Sequence, residues 1–133
     1  MATGVLFTLG YAGLLGPDDL RRMLEWVDVD TIVDVRLQPW GRAPFNGPRA
    51  ARHTVESVGL RYVHLPDLGN VLYRTGGIQI RNLEAIEAVL DDLRAGRSVA
   101  LMCACPRPEG CHRSMLAEEA VRREPGLHVV HVT

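Results

Sequence analysis

Ser98-Val99-Ala100-Leu101-Met102-Cys103 runs through Ala104-Cys105-Pro106-Arg107-Pro108-Glu109-Gly110 into Cys111-His112-Arg113, and this stretch decides the fold. Residues 98–103 carry no charge, and 99–103 are apolar at successive positions. A run that short reads as a strand buried on both faces. The proline- and glycine-bearing segment after it breaks the pattern. A helix from about Cys111 to Arg123 is expected next.

The same alternation recurs upstream. Val5-Leu6-Phe7-Thr8-Leu9 reads as a first strand ended by Gly10. Pro17 suits the first turn of a helix, whose positions Leu20, Met23, Leu24 and Val27 repeat at helical spacing. Thr31-Ile32-Val33-Asp34-Val35 is a second strand. A loop with Pro39, Gly41, Pro44, Gly47 and Pro48 and a weaker helix over about Arg49 to Val58 follow it. Leu60-Arg61-Tyr62-Val63-His64-Leu65 makes a third strand. The stretch from Pro66 to Ile80 has no clear period and reads as a long loop, a length that inside compact domains is often functional. Gly76-Gly77 would let it close as a lid. Asn82 is placed to cap a helix carrying Leu83, Ile86, Leu90 and Leu93 on one face. Val129-Val130-His131-Val132 closes the chain as a short strand. The pattern predicts one α/β domain over residues 1–133, a three-layer sandwich. Its mostly parallel sheet would have about five strands, with helices on both faces.

Composition narrows the function classes. The 133 residues are 47% hydrophobic and 23% charged with a net charge of −1, which argues against a generic polyanion binder. Nucleic acid is therefore a partner the sequence allows but does not favour. All 15 basic residues are Arg. Compositional bias explains most of that, although Arg36 and Arg113 stand where a planar fork for phosphate or carboxylate would matter. No run approaches the roughly 20 apolar residues needed to cross a bilayer, and no secretory leader is legible. A cytoplasmic protein without a membrane partner is expected.

In open α/β sheets, ligands bind beyond the carboxyl ends of the strands. That edge would hold Gly10 and Tyr11, Asp34 and Arg36, His64 and Asp67, and Cys103 with the segment leading to Cys111-His112-Arg113. A helix starting at Cys111 would aim free N–H groups at its surroundings, favour anions and lower a thiol's pKa. Cys111 is thus the candidate nucleophile or redox thiol, and His112 the general acid or base. Arg113 and Arg36 form the candidate anion clamp. Asp34 could orient His112, or pair with Arg36 or Arg113 in a structural network. Tyr11 could offer a hydroxyl or a stacking face, and His64 completes the ligand-binding set. Cys103 reads equally well as core and as a site thiol.

Three cysteines within nine positions do not resemble a secreted disulfide framework. They read as free thiols, a redox site or a metal site. The C-x-C-x5-C-H spacing is not the usual zinc knuckle, so no metal and no cofactor are expected. The phosphate loop of cysteine phosphatases, Cys followed by Arg six positions later, is absent: those positions hold Glu109, Cys111 and Ala117.

The chain resembles the bacterial and archaeal domain-of-unknown-function 488 family. The resemblance rests on Thr8-Leu9-Gly10-Tyr11, Val33-Asp34-Val35-Arg36 with Pro39, and Tyr62, His64, Leu65, Leu68 and Gly69. It ends on Met102-Cys103-Ala104 and Cys111-His112-Arg113. It implies no assigned activity. The family has an acidic residue where Cys105 stands, so a metal role requiring Cys105 is not implied for it. Three readings compete. The first is an enzyme on a small anionic or nucleotide-like ligand, a cysteine-dependent hydrolase or transferase. The second is a non-catalytic nucleotide or nucleic-acid binding module, and the third a metal-bound structural or regulatory domain.

Overall fold

The structure, a computed structural model, describes residues 3–38, 44–105 and 109–132. Pro39 and Gly41 of the proline-rich loop lie outside the described residues. The strands are β1 (Leu6–Gly10), β2 (Thr31–Asp34), β3 (Arg61–His64), β4 (Val99–Cys103) and β5 (Val129–Val132). The helices are α1 (Pro17–Met23), α2 (Pro48–Glu56), α3 (Ile86–Arg94) and α4 (His112–Arg123). The sheet runs in the order β3-β2-β4-β1-β5 with every pairing parallel. It is therefore wholly parallel rather than mostly so.

Alternation along the strands feeds two cores. Phe7, Leu9, Ile32, Tyr62, Ala100 and Met102 pack with Leu20 of α1 and Ala51 and Val55 of α2. Leu6, Val33, Leu101 and Cys103 face the other way, onto Leu90 and Leu93 of α3 and Leu116 of α4. Both sheet faces are covered, which explains strands apolar at every position. No helix among the described residues is long and apolar enough to cross a membrane.

Several local expectations shift. Helix α1 closes at Met23, and Val27 is reached through a separate turn in which its N–H donates to the Leu24 carbonyl at 3.1 Å. Gly10 does not end β1 from outside; it is the last paired residue, opposite Cys103. The Asn82 side chain accepts from the Glu84 N–H as a cap, but the first turn, Leu83–Ala85, is a tight 3₁₀ turn before α3. The stretch from Pro66 to Ile80 holds more order than its missing period suggests. Pro66–Leu68 is a 3₁₀ turn and Asn70 bridges to Ile80. The nearly buried Asn70 side chain donates to the Gly77 carbonyl and accepts from the Leu72 and Gln79 N–H groups. One asparagine thus ties both arms of the loop, where a lid free to close would need them loose.

Many arginines are spent at the surface. Arg123 reaches Glu84, Glu87 and Glu119, and Arg94 reaches Glu87 and Glu124, lacing α4 to α3. Exposed pairs of this kind add little each.

The topology fixes where a ligand can sit. β1 and β2 flank β4 and lead into α1 and α2 on one face. β4 leads into α4 on the opposite face. Chain connections therefore part on either side of the end of β4, which opens a crevice there. Cys103 is the last residue of that strand.

Candidate active site

A cavity of about 800 Å³ occupies this crevice. Its floor is formed by Cys103, Cys105, Cys111 and His112, its flanks by Tyr11 and Arg36, and its outer wall by Tyr73 and Arg74. No aspartate or glutamate is among the described residues lining it.

The flank is built on a buried ion pair. Asp34 and Arg36, two residues apart, lie on the same side of the chain. The Asp34 carboxylate accepts from Arg36 Nε at 2.9 Å, Arg36 Nη2 at 2.7 Å and the Tyr62 hydroxyl at 2.6 Å. Arg36 Nη1 donates to the Tyr11 hydroxyl and to the Phe45 carbonyl, each at 2.9 Å. Burial works against the Arg36 charge, and the Asp34 contact outweighs it, holding the guanidinium protonated. Burial, followed by the Asp34 charge, pushes the Tyr62 phenol up. His64 Nε2 donates to the Arg36 carbonyl at 2.8 Å and fixes the chain beyond β2; it does not line the cavity. Of the two arrangements open to Asp34, pairing with Arg36 is the one present. Every Arg36 nitrogen is engaged, so its fork is a wall rather than a vacant clamp.

The floor departs from expectation in three ways. The Arg113 guanidinium does not project into the cavity as a fork for ligand. It is fully buried beneath the sulfur cluster, with Nη1 donating to the Cys105 carbonyl at 2.7 Å, Cys103 Sγ at 3.1 Å and Cys111 Sγ at 3.6 Å. Its Nε and Nη2 find no partner among the described residues. Burial opposes its charge, and the Cys103 sulfur more than restores it.

Second, Cys111, the candidate nucleophile, is enclosed. It lies at the start of α4 but is only 3% exposed. The hydrogen bond with Cys103 draws its pKa down, and the Cys105 interaction together with burial raises it above the ordinary value. Cys103, interacting with Cys105 first, then Cys111, and buried, is pushed up as well. Cys105 takes the opposite direction. Hydrogen bonding from Cys103 and Cys111, helped by the Arg113 charge, carries it far below the usual thiol range. Ionisation of the cluster is therefore favoured at Cys105, the most exposed of the three and the one nearest in effect to the Arg113 charge, and disfavoured at Cys103 and Cys111.

Third, His112 takes its orientation from a backbone group. Its Nε2 is 2.8 Å from the Val35 carbonyl. A carbonyl can only accept, so Nε2 carries hydrogen and, in the neutral ring, the lone pair lies on Nδ1. That atom is 4.0 Å from Cys111 Sγ. Burial lowers the His112 pKa below its ordinary 6.5 and outweighs the Val35 carbonyl, which raises it. The unfolded chain therefore binds a proton more readily than the fold does. Stability should be complete above about pH 6.5 and fall as pH drops toward the folded pKa. Replacing His112 with Gln should flatten this part of a urea-unfolding series across pH; an unchanged slope would contradict the assignment. Ligand atoms of Cys103, Cys111 and His112 all lie within 4.8 Å of one another. With Nε2 held on a carbonyl, this set could hold a soft divalent ion.

Two packing features keep the floor in place. The Tyr11 N–H donates to the Cys103 carbonyl at 3.0 Å. Gly10 lets the Cys105 carbonyl pass so close that a Cβ there would stand 1.6 Å from its oxygen. Sequence reasoning did not single out Asn70, Tyr73 and Arg74. The available signal was a Tyr-Arg pair before Gly76-Gly77 in an otherwise aperiodic stretch. Tyr73 is half exposed, and its hydroxyl accepts from Arg74 Nε at 2.9 Å. Arg74 has no carboxylate partner among the described residues.

The family model for the Domain of unknown function DUF488 matches residues 18–72. The matched part runs from α1 into the long loop. It includes Asp34, Arg36, Tyr62 and His64, and it stops before the cysteine segment. The match covers 55 of the 133 residues, less than half of the chain, and marks a similarity to that family over this segment. No curated protein matches the chain.

Proposed function

From the geometry of the site and the similarity of residues 18–72 to the DUF488 family, we propose that this chain is a cysteine-dependent hydrolase or transferase acting on a small anionic or nucleotide-like ligand. One observation carries the reading. A buried guanidinium, Arg113, has only sulfur atoms and one carbonyl as acceptors among the described residues, beneath a cavity lined by no carboxylate. A buried cation needs a compensating negative charge. A shared thiolate supplies it, and a thiolate is the nucleophilic form of cysteine.

The roles follow from position. Cys105, the most exposed thiol and the one at which ionisation is favoured, attacks an electrophilic centre of the bound ligand; the S–ligand bond forms as the bond to the leaving group breaks, and water or an acceptor group then displaces Cys105. Arg113 holds its charge and places its carbonyl. His112, neutral near pH 7, offers Nδ1 to the Cys111 proton. Arg74 at the mouth and the N–H groups at the start of α4 meet the anionic part of the ligand.

Alkylation of the reduced protein, followed residue by residue by mass spectrometry across pH, tests this reading. Cys105 should react faster than a simple thiol at about pH 6 to 7, and Cys103 and Cys111 much more slowly. Inertness of all three would overturn the nucleophile role. Protection that vanishes on adding a chelator would favour a metal-bound domain instead.

A further inference from the structure

We propose that Cys103 and Cys111 are a redox pair that closes into a disulfide, and that Cys105 is the thiol through which an external disulfide enters. The domain would then have thiol–disulfide exchange activity. This rests on the thiol chemistry proposed above but requires no anionic ligand.

The geometry of the pair is the starting point. Cys103 Sγ and Cys111 Sγ are 2.8 Å apart. A disulfide bond is about 2.05 Å long, so less than about 1 Å of approach separates contact from bond. Neither sulfur has competing solvent, since both residues are buried. Their backbones are fixed independently, Cys103 at the end of the central strand β4 and Cys111 at the head of α4. Arg113 Nη1 donates to both sulfurs and stabilises whichever carries charge in the reduced state. Closing the bond removes two sulfur acceptors from Arg113 Nη1 and leaves Cys105 as its counterion; Arg113 Nε and Nη2 find no partner among the described residues. Cys105 lines the cavity and is the only one of the three that is not fully buried.

The exchange balances with a low-molecular-weight disulfide, R–S–S–R, as the co-reactant. The Cys105 thiolate attacks one sulfur; the Cys105–S bond forms, the S–S bond breaks, and RS⁻ departs. Cys111 gives up its proton and attacks the Cys105 sulfur, expelling the second RS⁻. Cys103 then gives up its proton and attacks the Cys111 sulfur, and Cys105 leaves as the thiolate it began as. The two released protons complete two RSH. Overall, two protein thiols lose two electrons and two protons, and one external disulfide gains them.

The test uses the full chain, reduced and then placed in glutathione buffers of graded oxidation near neutral pH, with disulfides mapped by peptide mass spectrometry. The expected bond joins Cys103 to Cys111. Cys103→Ser and Cys111→Ser should each lose it while keeping the helical circular-dichroism signal. Cys105→Ser should reach the same oxidised fraction at least about tenfold more slowly. An oxidised protein carrying only glutathione adducts, or one joined through Cys105 at equilibrium, would overturn the pairing. An unchanged rate in Cys105→Ser would overturn the entry role. Fast Cys105 alkylation without a Cys103–Cys111 bond removes the redox pair and leaves the proposed function standing. A Cys103–Cys111 bond with a Cys105 inert to alkylation does the reverse.

Discussion

Replacing Asp34 with Ala is expected to cost about 3–5 kcal/mol of folding stability, the cost of breaking a buried charge pair by removing one partner. The substitution would strand Arg36, 7% exposed, and remove the acceptor of the Tyr62 hydroxyl. Domains of this kind are stable by about 5–15 kcal/mol, so the loss would take a large share of the whole. Urea unfolding checks it: the midpoint should fall sharply with little change in slope. Asp34→Asn keeps the shape and some acceptors and should lose less. A loss under about 1 kcal/mol for Asp34→Ala would mean the network is not the wall described here.

Gly10→Ala should damage both stability and chemistry. The new Cβ would overlap the Cys105 carbonyl oxygen at 1.6 Å and sit 3.1 Å from Arg113 Nη1. Neither partner can swing aside, because one is backbone and the other is buried. Overpacking of this kind costs about 1–3 kcal/mol, occasionally more. The Arg113–Cys105 hydrogen bond should break as the loop is pushed off, so fast alkylation of Cys105 should be lost along with stability. Gly10→Ala that unfolds at the wild-type urea concentration and alkylates normally would contradict this packing.

The strands were legible because burial on both faces leaves short uncharged runs such as Val99–Cys103. The site's location was legible because strand ends determine where side chains converge. Its internal pairing was less so. Two-residue spacing places Asp34 and Arg36 on one side but does not reveal that Tyr11 and the Phe45 carbonyl complete the Arg36 shell from distant parts of the chain. The inward turn of Arg113 did leave a trace. Arg113, Leu116, Ala117 and Ala120 fall at i, i+3, i+4 and i+7, the buried stripe of α4. Read by phase, Arg113 belongs to the core. The downward pull on the Cys105 pKa left none, because its causes are two other sulfurs and a buried cation brought together by the fold.

The central claim is that the reduced cavity floor carries one shared thiolate, centred on Cys105 and balanced by Arg113. Thiolate absorbance in the ultraviolet measures this directly. The reduced protein, titrated from about pH 9 down to about pH 4, should retain the absorbance of one thiolate well below the ordinary thiol pKa of about 8.5. Cys105→Ser should shift that ionisation upward. Absorbance that appears only near or above about pH 8, unchanged in Cys105→Ser, would contradict the account.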